Sequence, residues 1–311
     1  MTIGVVAPFY QQAGRVEPYL TTTEVTFSAT AAALDFTQLV PNGDDAQQLA
    51  SLQELIVRAS SKIDAYTMGK LGTLNATVNT ENGRYRVTRD GTFRVHPSFT
   101  PILQVMTFSW GQQPGAVFSV PLSANNCWVE RDTFVILNQG ASGSIGFSGT
   151  NALSNIAGSW TGTQYCEWTY VNGWANSFTT ADVSATGTSI PLTDATGLYP
   201  GSLFTIWDGA NDEYCQVASN YDGVSLTIPL VTPLSYDHVK GTNASQLPAV
   251  VKQAAIHFVC GLVTARGQGG LSIGSAGEVV ESGGSTKGLG IEHEMAAYDL
   301  LDEFRSVSGR M

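Results

Sequence analysis

Apolar residues at Leu49, Leu52, Ile56, Ala59, Ile63 and Tyr66 recur at alternating steps of three and four, which lays one stripe along a helix. Asp44 is placed to cap its start, with Gln47 three residues on to return the bond, and Gly69 to stop it. Near the other end Val251, Ala254, Ala255, Phe258, Leu262 and Val263 make a second apolar face, opened after Pro248 and closed at Gly267. A third helix is predicted from about Ile291, with Met295, Tyr298, Leu301 and Phe304 on one side.

Between the helices the period changes to two. Tyr85 and Val87 lead into Asp90-Gly91 and out through Phe93 and Val95, the pattern of a tight hairpin. Ile102, Gln104, Met106 and Phe108 alternate with their neighbours, and further strands are predicted at 116–120, 127–129, 134–137 and 165–171. A Gly/Ser-rich stretch at 139–162 interrupts them as a loop or a glycine-weakened strand pair. Over 183–246 short alternating runs at Ile190, Phe204, Cys215 and Val224 are separated by Pro200-Gly201, Asp208-Gly209 and Asp222-Gly223, which predicts a small β-barrel or sandwich.

The implied organisation is α+β. Residues 1–43, with Pro8, Pro18 and Pro41, read as an N-terminal arm carrying a short helix after Thr23. Residues 44–70 and 247–311 read as a helical bundle with a mobile glycine-rich loop at 267–290; 71–182 is a β domain and 183–246 a smaller one. No single stripe can bury itself, so the early helix and the two late ones are expected to pack together, with the antiparallel β region inserted between them.

Charged residues make up only 13% of the chain, well under the soluble norm of about 25%, so the surface is neutral and hydroxyl-rich, as suits a protein covered in an assembly. The net charge of −11 opposes a general grip on a phosphate backbone and argues against sequence-reading DNA binding. Cys127, Cys166, Cys215 and Cys260 have no metal or CxxC spacing and read as buried thiols. No signal peptide or membrane-spanning run is legible, so synthesis in a cytoplasm is expected, and the Asn75-Ala76-Thr77 and Asn243-Ala244-Ser245 sequons read as accidental.

Several phrases resemble the head-to-tail adaptor, or connector, proteins of long-tailed bacteriophages, above all the larger β-elaborated type of phages of actinobacterial hosts. Residues 52–66, with Ala59-Ser60 before Ile63-Asp64-Ala65-Tyr66, look like the first connector helix of that group. Val171-Asn172-Gly173-Trp174, Leu192-Thr193-Asp194-Ala195-Thr196-Gly197, Pro200-Gly201 and His238 with Gly241 look like phrases of its β region, and 248–267 and 297–304 like its closing helices. The resemblance spans nearly the whole chain and rests on the order of elements. It implies a structural virion protein at the head-tail neck, a ring, a dodecamer by analogy, under the portal. Its implied partners are itself, the portal protein, and a downstream connector, stopper or tail terminator, with double-stranded DNA passing through without sequence-specific binding and no membrane contact. The size of the β region and the long glycine loop depart from the pattern.

Catalytic constellations are sparse. His96, His238, His257 and His293 are scattered. His293-Glu294 lacks the second zinc-protease histidine, the position being Ala297. Ser285-Thr286-Lys287-Gly288 has the wrong order for a phosphate loop, and Gly146-Phe147-Ser148-Gly149 lacks a nucleophile elbow's second glycine. Asp212 and Glu213 could serve a glycosidase only if a facing geometry existed. Neither enzyme activity nor any cofactor or metal is expected. The alternatives are a tail or baseplate module holding host glycans and, third, a cell-wall hydrolase. The candidate interface residues are Arg84, Arg86, Arg89 and Arg94, crowded on one expected hairpin and suited to an acidic portal surface or DNA, with Leu52, Ile56, Ala59, Phe258 and Phe304 on the helices. A lumen lined by carboxylates would repel DNA over roughly 8 to 10 Å and let it slide.

Overall fold

A computed structural model describes residues 17–67, 73–88, 92–130, 132–137, 163–265 and 286–304. The chain is α+β: its described residues form four α-helices and several antiparallel sheets, with no closed barrel among them. They divide into two compact units, a sandwich unit at Ala76–Trp174 and a bundle unit made of 17–75 and 175–304.

In the sandwich unit, strands β1 (Thr77–Arg86), β7 (Thr163–Asn172), β3 (Ile102–Gln113) and β4 (Ala116–Ser119) form one sheet in that order. Strands β2 (Thr92–Val95), β6 (Thr133–Leu137) and β5 (Cys127–Glu130) form another. Phe93, Val95, Phe108, Phe134, Ile136, Trp168 and Tyr170 are all buried in one core. The expected Ile102-Gln104-Met106-Phe108 face is broken in β3, where register shifts against β7 turn Val105 inward and leave Gln104 and Met106 exposed. Aromatic rings carry the packing from sheet to sheet: Phe93 lies 5.3 Å from Phe108, Phe108 6.2 Å from Phe134, and Phe134 6.2 Å from Trp168. These rings meet tilted or edge-on, the arrangement their quadrupoles favour. Gly83 is needed in β1, because a Cβ there would stand 2.9 Å from the Tyr85 ring and 3.3 Å from that of Trp168. The unit's two ends lie together, the Ala76 amide donating to the Trp174 carbonyl at 2.7 Å.

The expected hairpin through Asp90-Gly91 is not the pairing that forms. β1 pairs along its length with β7, from Thr77 opposite Asn172 to Arg86 opposite Thr163, whereas β2 pairs with β6. Alternation had fixed which residues face the core, but a core between two sheets is served equally well when consecutive strands go to different sheets. The Asp90-Gly91 turn, Arg89 and the 139–162 stretch lie outside the described residues.

The bundle unit opens with helix α1 (Thr22–Phe27), closed by a capping box in which Thr21 and Glu24 exchange bonds. Residues from Glu17 onward are packed rather than forming a free arm, with Tyr19, Leu20 and Val25 buried and the Gln48 side chain holding both backbone groups of Val40 at 2.7 Å. Helix α2 (Asp45–Thr67) starts with the reciprocal Asp44–Gln47 cap expected from the sequence. It buries Leu52, Ile56, Ala59 and Ile63, while Leu49, near its start, stays 48% exposed.

Helix α3 (Ala249–Val263) and helix α4 (Thr286–Leu301) pack on each other, and both pack on α2. Phe258 of α3 meets Tyr298 of α4 edge-on at 5.1 Å, and Tyr298 lies 4.7 Å from Tyr66 of α2, so two aromatic contacts through one ring join three helices. Helix α4 begins before Ile291, so 286–290 belong to it and not to a loop. Gly288 and Gly290 hide that start because glycine is a poor helix former. Gly290 and Gly261 also let the helices touch: a Cβ on Gly261 would lie 3.1 Å from the Gly290 carbonyl oxygen.

The remaining strands are β8 (Asn176–Phe178), β9 (Ser189–Pro191), β10 (Leu203–Trp207), β11 (Glu213–Gln216), β12 (Thr227–Pro229) and β13 (Asn243–Ser245). They make a sheet in the order β11-β10-β13-β8 and a ribbon of β12 with β9, joined by bridges such as Thr179–Leu192 and Val217–Leu230 over a shared core. The arrangement is sandwich-like and unclosed, and it takes in β8, which falls before the expected boundary at 183.

Candidate interaction site

The three described arginines and the five helix candidates separate by burial. Leu52, Ile56, Ala59 and Phe258 are inside the bundle of a single chain, so they hold the fold and present no surface; Phe304 follows α4 in a 3-10 turn and is half-buried. Arg84 and Arg86 are exposed on the outer face of β1, opposite Tyr165 and Thr163 of β7, as their alternation with Tyr85 required. Arg94 belongs to the other sheet and pairs with Glu130 at 2.7 Å, itself bonded by the Trp128 indole at 2.8 Å. The described arginines are therefore not one cluster on one hairpin: Arg84 and Arg86 lie on an edge strand without an ion pair among the described residues, and Arg94 is tied down.

Three polar networks that sequence reasoning missed lie in the bundle unit. Lys252 of α3 is buried and donates to Glu24, to the Asn243 side chain at 2.8 Å and to the Tyr19 carbonyl at 3.1 Å, with its ammonium 4.7 Å from the Trp207 ring centroid. Burial lowers the lysine and raises Glu24, each shift opposed by the attraction of the partner. The pair locks α1, β10, β13 and α3 together, and it consumes Asn243, a fully buried sequon asparagine.

Asp64 of α2 accepts from the Tyr19 hydroxyl and from the Leu74 amide at 3.0 Å. Burial raises it to about 6 against those hydrogen bonds, and burial also raises Tyr19. His238 is buried between two carboxylates, Nδ1 at 2.8 Å from Asp208 and Nε2 at 3.3 Å from Glu213. The Asp212 and Glu213 carboxylates are spent on the fold, Asp212 on the Asp208 and Gly209 amides and Glu213 on Ser235 and His238. Across α3 and α4, His257 and His293 face each other through Nδ1 atoms 3.0 Å apart, and burial, then His293, lowers His257. No spacing in the sequence could have paired these two.

Burial pushes the Cys166, Cys215 and Cys260 thiols up to about 12 and Cys127 to about 11, so all four favour the unreactive protonated form. Among the described residues no group of three or more His, Cys, Asp or Glu side chains could hold a metal, and no helix is long and apolar enough to cross a membrane. The arrangement can present surfaces and hold its shape; the free outer strand of the sandwich unit is its best-defined place for contact. No family model matches this chain, and no curated protein matches it either.

Proposed function

We propose that this chain is a structural subunit of a tailed-bacteriophage virion, an adaptor that forms a ring under the portal and joins it to the next component of the tail. The observation that carries the reading is the closure of α2 on α3 and α4, helices from opposite ends of the chain, with the β units inserted between them. Such a packing supports the reading, because the sequence resemblance implies a bundle of these helices. Further support comes from surface chemistry. Phe27, Leu203, Tyr214, Val224 and Val239 of the bundle unit are each more than 60% exposed, on a chain with few charges, which suits burial by neighbours in an assembly.

In this proposal a heterologous contact repeats around the portal axis, a dodecamer by analogy, and closes only when the portal sets the rotation. Partners are the ring neighbours, the portal and a downstream stopper or tail terminator. DNA passes through a lumen kept slippery by the chain's excess of carboxylates. Electron microscopy of the native particle tests this: density for the chain at the vertex joining head and tail is expected, and density elsewhere overturns it. Light scattering with purified portal tests templating, which a stable ring formed by the chain alone would contradict.

A further inference from the structure

β1 is an edge strand of ten residues, paired with β7 on one side and with no strand on the other among the described residues. An antiparallel strand turns alternate amides and carbonyls towards each neighbour, so β1 offers a row of unpaired groups along roughly 30 Å. The unit's other edges are much shorter: β4, β2 and β5 have four residues each, and the β3–β4 pairing is broken by a register shift. β1 has no proline, and its register with β7 runs unbroken from Thr77 to Arg86. A long, regular, open edge is a template for strand addition.

Its side chains select what can be added. Arg84 and Arg86 stand on one face at the end of this edge, and neither makes an ion pair among the described residues, in a chain where acids outnumber bases by 26 to 15. Residues two apart on a strand repeat at about 7 Å, so carboxylates at alternate positions of an incoming strand match the two guanidiniums one to one. On the opposite face Glu81 is already engaged by the Tyr170 hydroxyl at 2.6 Å and the Ser98 amide at 3.1 Å, while Tyr85 packs edge-on against Trp168 at 5.4 Å and stays half-buried, so an apolar side chain suits the edge beside it.

We propose that β1 is a docking edge for an extended acidic segment of a partner protein, one that alternates carboxylates with apolar residues and adds as a fifth strand beside Arg84 and Arg86. The inference does not require the ring or the portal. The same arginines disfavour a basic strand, which would set like charges side by side.

The probe is a ten-residue capped peptide of alternating glutamate and valine, added to the full-length protein. Affinity is read by fluorescence anisotropy and β1 amide protection by hydrogen exchange. Binding with slowed exchange at β1 is expected, weakened at least tenfold in Arg84→Gln/Arg86→Gln and abolished when alternate peptide amides are N-methylated. Absence of β1 protection, equal binding of the N-methylated peptide, or equal binding of an alternating lysine-valine peptide would each overturn the proposal. The peptide controls leave the protein unaltered, so a folding defect in the arginine variant cannot decide the result.

Discussion

The two units solve stability differently. The sandwich unit is held by a layer of aromatic rings, Phe93, Phe108, Phe134 and Trp168, and its one ion pair among the described residues, Arg94–Glu130, is exposed. The bundle unit has exposed pairs too, Arg58–Glu54 among them, but it also buries polar and ionisable groups: Lys252 with Glu24, Asp64 under Tyr19, and His238 between Asp208 and Glu213. Apolar packing is tolerant of partner identity and indifferent to pH, whereas a buried charge needs its particular partner and penalises every arrangement that lacks it. The bundle unit, assembled from segments more than 200 residues apart in sequence, as the Lys252–Glu24 bond shows, is where such selectivity is most useful.

The sharpest way to break the contrast is Phe108→Ala, expected to cost about 4 kcal/mol in the sandwich unit. Hydrogen exchange should show protection falling at 76–174 and holding in the helices; a joint loss would mean the units do not unfold separately. Next in size, Lys252→Met strands Glu24 and Asn243 and should cost the bundle unit about 3 kcal/mol in chemical denaturation. Adding Glu24→Gln should recover part of that loss, and a double variant worse than the single one would contradict the account.

Asp64→Asn addresses pH. Its carboxyl is easier to protonate in the fold, at about 6, than at the ordinary 3.8. The stability it contributes is therefore fully present below pH 3.8 and lost as pH rises through about 6, a change of about 2 to 3 kcal/mol. Unfolding of the bundle unit followed from pH 4 to 7 should show that decline, and the Asn variant should flatten it; equal slopes would sink the assignment. The smallest effect belongs to Glu130→Gln, where an exposed pair in the sandwich unit is lost and the unfolding midpoint should not move measurably.

Much of the local structure was legible. The stripe from Leu52 to Ile63, the Asp44–Gln47 cap and the inward aim of Phe93 and Val95 follow from side-chain periodicity and local capping. The faces of β3 did not, because register shifts turn Val105 inward and Met106 outward. The start of α4 was not legible, because Gly288 and Gly290 argue locally against a helix that Gly261 accommodates by close contact. At the candidate site, the outward aim of Arg84 and Arg86 was readable from alternation, but their separation from Arg94 was not, since that depends on which sheet each strand joins.

By itself, then, the sequence determined the stripes of the three main helices, the acidity and the α+β class, the stripes being set by neighbours a few residues apart. Tertiary structure alone decided that β1 joins β7, that no other strand pairs with it among the described residues, and that Lys252, Asp64 and His238 are buried with distant partners. The reason is physical: strand pairing and charge burial are settled by competition among segments far apart in the chain, and periodicity records which face a residue takes without recording what it meets there.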